Sequence, residues 1–583
     1  MRNMSRLEET ATVGFPAPRT RVLNLERWQL MDAAFIVVVS ALPALFFTRG
    51  LGFYLDDHLF LGTMRASPDQ SVIGLFHALN GDPKAQLRPL EYFLIAVAYR
   101  LFGTSPLPYH IVLAALVPMC ALALYALLVR LRLPRALAVA IPVLFASAPH
   151  YSSARLWPDA YSPTLTFTFA LVSLYAGLAA AAAKGRRSWL WLGTACFAML
   201  ASIFLYEITL PLFAVAALYH WLRARRDSGQ WRYTARVLTV VLAGALVVKL
   251  AAARTVGRES SYSIGYDDGF LHHMGYLVSG AVKVNFGTYG LGLPYVLSWI
   301  AVHRLTWGAV AAGGLVGATV FAYFARETDL TRTIADLPTW RDRPAWQYLA
   351  VAGLMVILIG YGLFLTGANI SFTSAGMDNR VNIIAALGMV LIALALVVRA
   401  LQLFPTEHRM TVFAFLVALL AAMGTFITTT IGGYWQEAAD RQRHILSGLT
   451  AALPENPNRM TVILDGACPE VGPGIVFDVF YDLGGALQTI YRDATIQGAE
   501  ITPIFNIQSR GLVLTTHVYN YEGSLLYPYD RRLVIFDSRH RKLHSLADAR
   551  DARAYFASRQ PLSCPPLRSF AWGLRTSRYL PFN

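Results

Sequence analysis

Charge is what this chain has least of. Of its 583 residues 15% are charged and 55% hydrophobic, and the mean hydropathy is +0.45; a soluble globular protein carries about 25% charged residues, so that class is excluded. Acid is scarcer than base, with 35 Asp and Glu against 50 Lys and Arg and a formal net charge of +15. A basic surplus can mark a nucleic-acid surface, but here the cations fall in short clusters between apolar runs, as membrane topology signals do, and nucleic acid is not expected as a partner. Cysteine is rare too: Cys120 and Cys196 lie inside apolar runs, and Cys468 and Cys564 in the polar C-terminal stretch. Only the last two are placed to pair, and no close Cys pair followed by a His pair exists, which argues against a thiolate zinc site. The segment before Arg27 has no apolar core framed by charge and a small-residue cleavage site, so a cleaved signal peptide is not expected.

What the chain has in abundance is long apolar runs. A spanning helix needs about 20 mostly apolar residues, and eleven candidates follow: Leu30 to Thr48, Tyr109 to Val129, Ala136 to His150, Pro163 to Ala183, Leu190 to Tyr206, Ile208 to Leu222, Val237 to Ala253, Trp307 to Phe324, Tyr348 to Thr366, Val381 to Val398 and Thr411 to Ile427. The third and sixth are short. Ser71 to Leu79, Leu90 to Phe102 and Leu291 to Val302 are too short to span and read as interfacial helices in outer loops.

Cations set the orientation, because cytoplasmic loops keep positive charge. Arg19, Arg21 and Arg27 precede the first span; Arg130, Arg132 and Arg135, then Lys184, Arg186 and Arg187, then Arg223, Arg225, Arg226, Arg232 and Arg236, then Arg326, Arg332, Arg341 and Arg343 fall in alternate loops. The chain is therefore expected in the inner (cytoplasmic) membrane with a cytoplasmic N-terminus. The loop from Arg49 to His110, the segment from Tyr151 to Ser162, the turn at Glu207, the loops from Arg254 to Leu305 and Ala368 to Arg380, and the tail face outward. The tail changes to soluble composition, with strands expected at Met460 to Leu464, Leu512 to His517 and Leu533 to Phe536 and a helix at Gly484 to Tyr491. The expected fold class is thus an α-helical polytopic membrane protein of about 11 transmembrane helices over residues 1–430, plus a small extracytoplasmic α/β domain over 431–583. An oxidising outer compartment would permit a Cys468–Cys564 disulfide.

Carboxylates in apolar surroundings need a reason. Tyr54-Leu55-Asp56-Asp57-His58 sets two acids and an imidazole just after the first span; apolar neighbours and a second like charge raise a carboxyl's basicity toward that of a general base. The bland alternative is a capped, solvated turn. Glu207, between the fifth and sixth spans, is the stronger signal, because ionisable groups at membrane depth usually face a bundle interior or wet cavity; pairing with a structural Arg is its alternative. On the same face Arg88, Arg155, Lys283 and Arg380 are candidate phosphate ligands, since the guanidinium fork matches phosphate oxygens; each alone also fits a headgroup anchor. His110 and His272-His273 read as helix-end residues first, and Tyr262, Tyr266, Asp267 and Asp268 form a polar aromatic patch. Asp56, Asp57 and His58 together could take a divalent cation, and the sequence leaves metal use open.

In order along the chain, Asp56-Asp57-His58, Arg88-Pro89-Leu90, Leu101-Phe102-Gly103 and Pro106-Leu107-Pro108-Tyr109-His110 resemble the GT-C superfamily of polytopic glycosyltransferases. Protein O-mannosyltransferases and their bacterial and animal relatives, among them the transmembrane and tetratricopeptide-repeat mannosyltransferases, carry a paired acidic motif in the first outer loop, often an Arg-Pro-Leu-like segment, then a Gly and a His before the next helix. Glu207 resembles the acid such proteins place at the outer end of a later helix. The resemblance covers roughly the first 220 residues and stops at the tail, which shows neither repeat helices nor a carbohydrate module.

The resemblance implies a GT-C-like bundle that moves one hexose or pentose, usually with inversion, from a polyprenyl-phosphate donor to a hydroxyl on a lipid, glycan or protein acceptor. It implies Asp56 as general base, Asp57 and Glu207 positioning acceptor and sugar, Arg88, Arg155 and Arg380 on the phosphate, and His58, His110 and Asp159 completing the substrate-binding set. Two other readings compete. A lipid or lipid-linked glycan transporter would place its charges near mid-membrane and show paired repeats; a non-catalytic envelope scaffold would be indifferent to loss of Asp56, Asp57 and Glu207.

Overall fold

The computed structural model describes residues 27–225, 229–255, 269–327, 330, 334, 337, 344–366, 373–501, 505–518, 521–529, 532–560, 562 and 564. Tyr262, Tyr266, Asp267, Asp268, Arg19, Arg21, Arg226, Arg332, Arg341 and Arg343 lie outside the described residues. In lipid a backbone can satisfy its polar groups only internally, so long apolar runs close as helices. Among the described residues nine helical segments are long and apolar enough to cross a membrane. They are α1 (Arg27–Ala41) with the following turn Leu42–Phe46, α6 (Pro106–Arg130), α8 (Tyr161–Ala182), α9 (Arg186–Leu205), α11 (Gln230–Thr255), α14 (Trp307–Arg326), α15 (Ala345–Tyr361) with the turn Gly362–Thr366, α16 (Ile383–Leu401) with the turn Met377–Asn382, and α17 (Thr406–Ala452).

The expected third and sixth spans are also helices, α7 (Arg135–Ser147) and α10 (Leu210–Ala224), each about 20 Å long at 1.5 Å per residue and so short of a hydrocarbon core of about 30 Å. The first loop folds as α2 (Asp56–Ala66), α3 (Val72–Leu79), α4 (Pro83–Leu87) and α5 (Pro89–Phe102), and the long loop contributes α12 (Phe270–Ala281), a π-helical stretch Val282–Leu291 and α13 (Leu293–His303).

The bundle has two unlike ends. Arg130 and Arg135, Arg186 and Arg187, Arg223 and Arg232, Arg326, Arg399 and Arg409 cluster where α6, α10, α14 and α16 finish and α7, α9, α11 and α17 begin. There the buried Asp32 of α1 accepts from Arg135 at 2.6 Å and from Tyr125 at 2.9 Å, and it also takes the Tyr323 hydroxyl, tying α1, α6, α7 and α14 together. The acidic motifs sit at the opposite helix ends.

Helix α17 carries the chain out of the bundle. At 47 residues it is about 70 Å long, more than twice a hydrocarbon core, and it runs unbroken past residue 430, where the composition changes, to Ala452. The reason is legible in its later half. Ile431, Trp435, Ala438, Gln442, Ile445 and Leu449 are all buried, recurring every three or four residues on one helical face. That face shares an apolar core with Tyr54, Leu55 and Trp157 on one side and Val462, Phe477 and Phe536 on the other, so the second domain is seated on the bundle end.

In that domain β1 (Thr461–Asp465), buried along its whole length, lies parallel between β4 (Gln497–Glu500) and β8 (Leu533–Asp537), with β9 (Lys542–Ser545) antiparallel on β8. A ribbon of β2 (Glu470–Val471) and β3 (Gly474–Ile475) follows β1, and α18 (Asp482–Tyr491) is the crossover to β4. β5 (Phe505–Ile507), β6 (Gly511–Val518) and β7 (Tyr521–Pro528) form a separate meander, and α19 (Ala549–Ser558) closes the described part. A disulfide joins Cys468 to Cys564, leaving Cys120 and Cys196 as thiols.

Candidate functional site

The site begins with a backbone that a side chain ordinarily refuses. Leu55 adopts φ 48°, ψ −121°, outside the regions open to residues with a β-carbon, and such strain persists only where the surroundings over-determine it. They do so here. Leu55 is buried in the core shared with α17, the Tyr54 hydroxyl donates to the Trp435 carbonyl at 2.8 Å, and the Tyr54 N–H is taken by Asp57 Oδ2 at 2.9 Å. The other oxygen of Asp57 accepts the Asp159 N–H at 2.9 Å, at the foot of α8. Burial, reinforced by the Asp159 charge, pushes the Asp57 carboxyl well above the usual range. Asp57 is therefore a pin between two segments, its oxygens spent on backbone.

Asp56 points elsewhere. As the first residue of α2 it is half-buried and accepts the Tyr481 hydroxyl from the C-terminal domain. The Arg380 guanidinium lies 4.5 Å above the Trp157 ring, donates to the Met377 carbonyl at 3.1 Å, and interacts electrostatically with Asp56, Asp159 and Asp378. The turn carrying Arg380 is set by Asn379, which takes the Ser153 N–H at 2.9 Å and gives to the Ser152 hydroxyl at 2.8 Å.

Beside this group lies a second. Arg88, just ahead of the helix-starting Pro89, forks onto Glu207 with contacts of 2.6 and 3.2 Å and lies 4.0 Å over the Tyr206 ring. Lys249 of α11 reaches the same carboxylate at 3.1 Å. Burial alone would raise Glu207, but Arg88 and Lys249 overcome it and hold the group well below the carboxylate range. Glu91 of α5 links the two groups: it lies 3.6 Å from Arg88 and feels the charges of Glu207 and Arg380, and burial, opposed chiefly by Arg88, pushes its carboxyl up.

The structure thus gathers Asp56, Asp57, Asp159, Arg380, Arg88 and Glu207 at one bundle end, and it does not bring His58, His110 or Arg155 to them. His58 is buried against Phe477, 3.4 Å from Gln442, and burial lowers its pKa to about 4. His110 is buried with Nε2 at 2.8 Å from the Gly52 carbonyl. Arg155 donates to the Ala148 carbonyl at 2.9 Å and covers the Tyr151 ring at 4.2 Å, holding the turn after α7. Lys283 is exposed on the π-helical stretch, and His273 meets the Phe364 carbonyl at 2.7 Å. No trio of His, Cys, Asp or Glu among the described residues is placed to hold a metal ion, because His58 turns away from Asp56 and Asp57.

Three participants escaped the sequence reading. Lys249 carried the same signal as Glu207, an ionisable group amid apolar neighbours. Glu91 is one helical turn from Arg88, a spacing that pairs such residues. Tyr481 gave no signal, since its role depends on docking between chain segments 425 residues apart.

Chemically, the cluster offers a carboxylate with one hydrogen-bonded oxygen, a second carboxylate on a fixed backbone, and three cations held by acids or aromatic rings. That combination can take a proton from a hydroxyl while stabilising a departing anion.

No family model and no curated protein matches the chain. Among solved structures it is similar to ArnT from Cupriavidus metallidurans in the apo state, at 14% identity and a TM-score of 0.34 over 76% of this chain and 82% of that one. The same protein bound to undecaprenyl phosphate matches at 14% identity and a TM-score of 0.31 over 75% and 82%.

Proposed function

We propose that this chain is a GT-C-type membrane glycosyltransferase that transfers a sugar from a polyprenyl-phosphate donor to a hydroxyl acceptor on the outer face of the inner membrane. The observation that carries the reading is the union of Asp56 and Asp159 with Arg380 at the end of the bundle remote from the basic helix termini, flanked by the Arg88–Glu207–Lys249 group.

The chemistry needs a base and an anion site. Asp56 accepts the proton of the acceptor hydroxyl as that oxygen bonds to the anomeric carbon. The bond from that carbon to the phosphate oxygen breaks on the opposite face, its electron pair leaving with the polyprenyl phosphate, so the sugar inverts. A lipid phosphate leaves as a stable anion, which removes the need for a strong general acid. Arg380, with Arg88 and Lys249 preorganised by Glu207, supplies the positive field in which that anion forms. Asp159 positions the acceptor or sugar, and Asp57 keeps Asp56 and Asp159 in register.

Two further observations support the outward placement. Basic residues crowd the opposite helix ends, the pattern of a cytoplasmic face, and the domain beside the site holds a disulfide, which persists in oxidising compartments. Purified protein supplied with labelled polyprenyl-phosphate hexose or pentose and envelope extract as acceptor tests the donor class. Transfer from the lipid donor but not from a nucleotide sugar is the expected result; transfer from the nucleotide sugar alone, or lipid translocation without transfer, rejects the reading.

A further inference from the structure

Building on that reading, we infer that Tyr481 of the C-terminal domain is a positioning residue for Asp56, so that this domain completes the site from above. Asp56 Oδ1 accepts the Tyr481 hydroxyl, while Asp57, its neighbour in sequence, is fully engaged with backbone N–H groups. Tyr481 is well fixed. It immediately precedes α18, its carbonyl accepts the Gly485 N–H at 2.9 Å, and the preceding turn is closed by Asp482 Oδ2, which takes the N–H groups of Asp478 and Val479 at 3.0 and 3.3 Å.

The close fit of α18 on α2 explains how a phenol from a separate domain reaches a carboxylate at a membrane helix end. A β-carbon on Gly485 would stand 2.3 Å from the His58 carbonyl oxygen, and one on Gly62 would stand 2.7 Å from the Gly485 carbonyl oxygen. Both glycines are needed for the approach. A phenol donating to a carboxylate selects one rotamer of Asp56, aiming the other oxygen at the acceptor.

Other groups on elements packed around Asp56 are Asp57 on its own helix, Asp159 on the turn before α8, Arg380, Glu91 on α5, His77 on α3 and Asp482 on α18.

The test is the rate of carbodiimide labelling at Asp56 at one fixed pH, read by mass spectrometry in the intact detergent-solubilised protein and in Tyr481→Phe. Loss of the donor that occupies Oδ1 should speed labelling by about tenfold. It should lower kcat by a similar factor and leave KM for the polyprenyl-phosphate sugar unchanged. Phenylalanine keeps the ring packing, so an unchanged unfolding temperature shows that the domain stays docked; Gly485→Val, which should lift α18 from α2, is expected to reproduce the faster labelling. Equal labelling rates in parent and Tyr481→Phe overturn the proposal whether or not sugar is transferred. Faster labelling in Tyr481→Phe, where the parent itself transfers nothing, leaves the contact standing and rejects the functional reading instead.

Discussion

Asp57 Oδ1 accepts the backbone N–H of Asp159 at 2.9 Å, joining the turn after the first membrane helix to the foot of α8 across 102 residues of sequence. Because its second oxygen holds Tyr54, Asp57 fixes where both Asp56 and Asp159 stand.

Replacing Asp57 by Asn should therefore act through structure. Asparagine offers one carbonyl oxygen, so one of the two N–H groups meets a second donor in a buried setting, at a cost of about 1–3 kcal/mol. Thermal unfolding of purified Asp57→Asn should show a lower midpoint together with reduced turnover. An unchanged midpoint with abolished turnover would place Asp57 in the chemistry itself.

Glu207 neutralises the buried Lys249 and the half-buried Arg88, and Glu207→Gln leaves the two cations facing each other. Breaking a buried ion pair from one side costs about 3–5 kcal/mol, and adding Lys249→Met to Glu207→Gln should recover part of that loss. A double-mutant cycle on unfolding temperature reads the coupling; additive effects of the two substitutions contradict it.

The C-terminal domain should be more stable in mild acid than in mild base. Burial, aided by the Asp378 charge, pushes Asp478 up to about 7, burial pushes Glu500 up to about 8, and burial with the neighbouring Glu500 pushes Asp482 well above the carboxylate range. Both oxygens of Asp478 are buried and lack a hydrogen-bond partner among the described residues. The folded state thus holds protons that the unfolded chain has already released above about pH 4. This contribution is fully present below that pH and is lost as pH rises through 7 and 8. Unfolding temperatures at pH 5 and 8 check the direction, and Asp478→Asn should flatten the slope; higher stability at pH 8 would reverse the assignment.

Reducing the Cys468–Cys564 bond should cost the domain about 2–5 kcal/mol. Thiol counting on unreduced, denatured protein should find only Cys120 and Cys196 reactive, and reduction should lower the domain's unfolding transition. Four reactive thiols before reduction contradict the pairing.

Much of the architecture could be read from one-dimensional pattern, for a physical reason: lipid leaves the backbone no choice but helix, so apolar runs such as Tyr109 to Val129 map onto α6 with shifts of a few residues. Strands at Leu533 and Thr461 were legible because both are continuous apolar runs. The course of α17 beyond Ile427 was missed because its membrane half and its docking half differ in composition, although the burial repeat from Ile431 to Leu449 runs through both. For the site, isolation of charge in apolar sequence pointed to Asp56, Asp57 and Glu207, but a charge alone does not say what it faces. Arg155 and Arg380 look alike in sequence; one grips the carbonyl of Ala148 and the other faces Asp56 and Asp159. His58, next to the acidic pair, points away because helical geometry turns each successive residue by about 100°.

On the proposed reading, Asp56 removes the acceptor's proton during sugar transfer from a polyprenyl phosphate. The most direct measurement is single-turnover release of polyprenyl phosphate from a labelled polyprenyl-phosphate sugar, with envelope extract supplied as the hydroxyl acceptor, by purified parent and Asp56→Asn proteins of equal unfolding temperature. The parent should release polyprenyl phosphate and the variant should be slower by about a hundredfold or more; release by Asp56→Asn at the parental rate would remove Asp56 from the role of base.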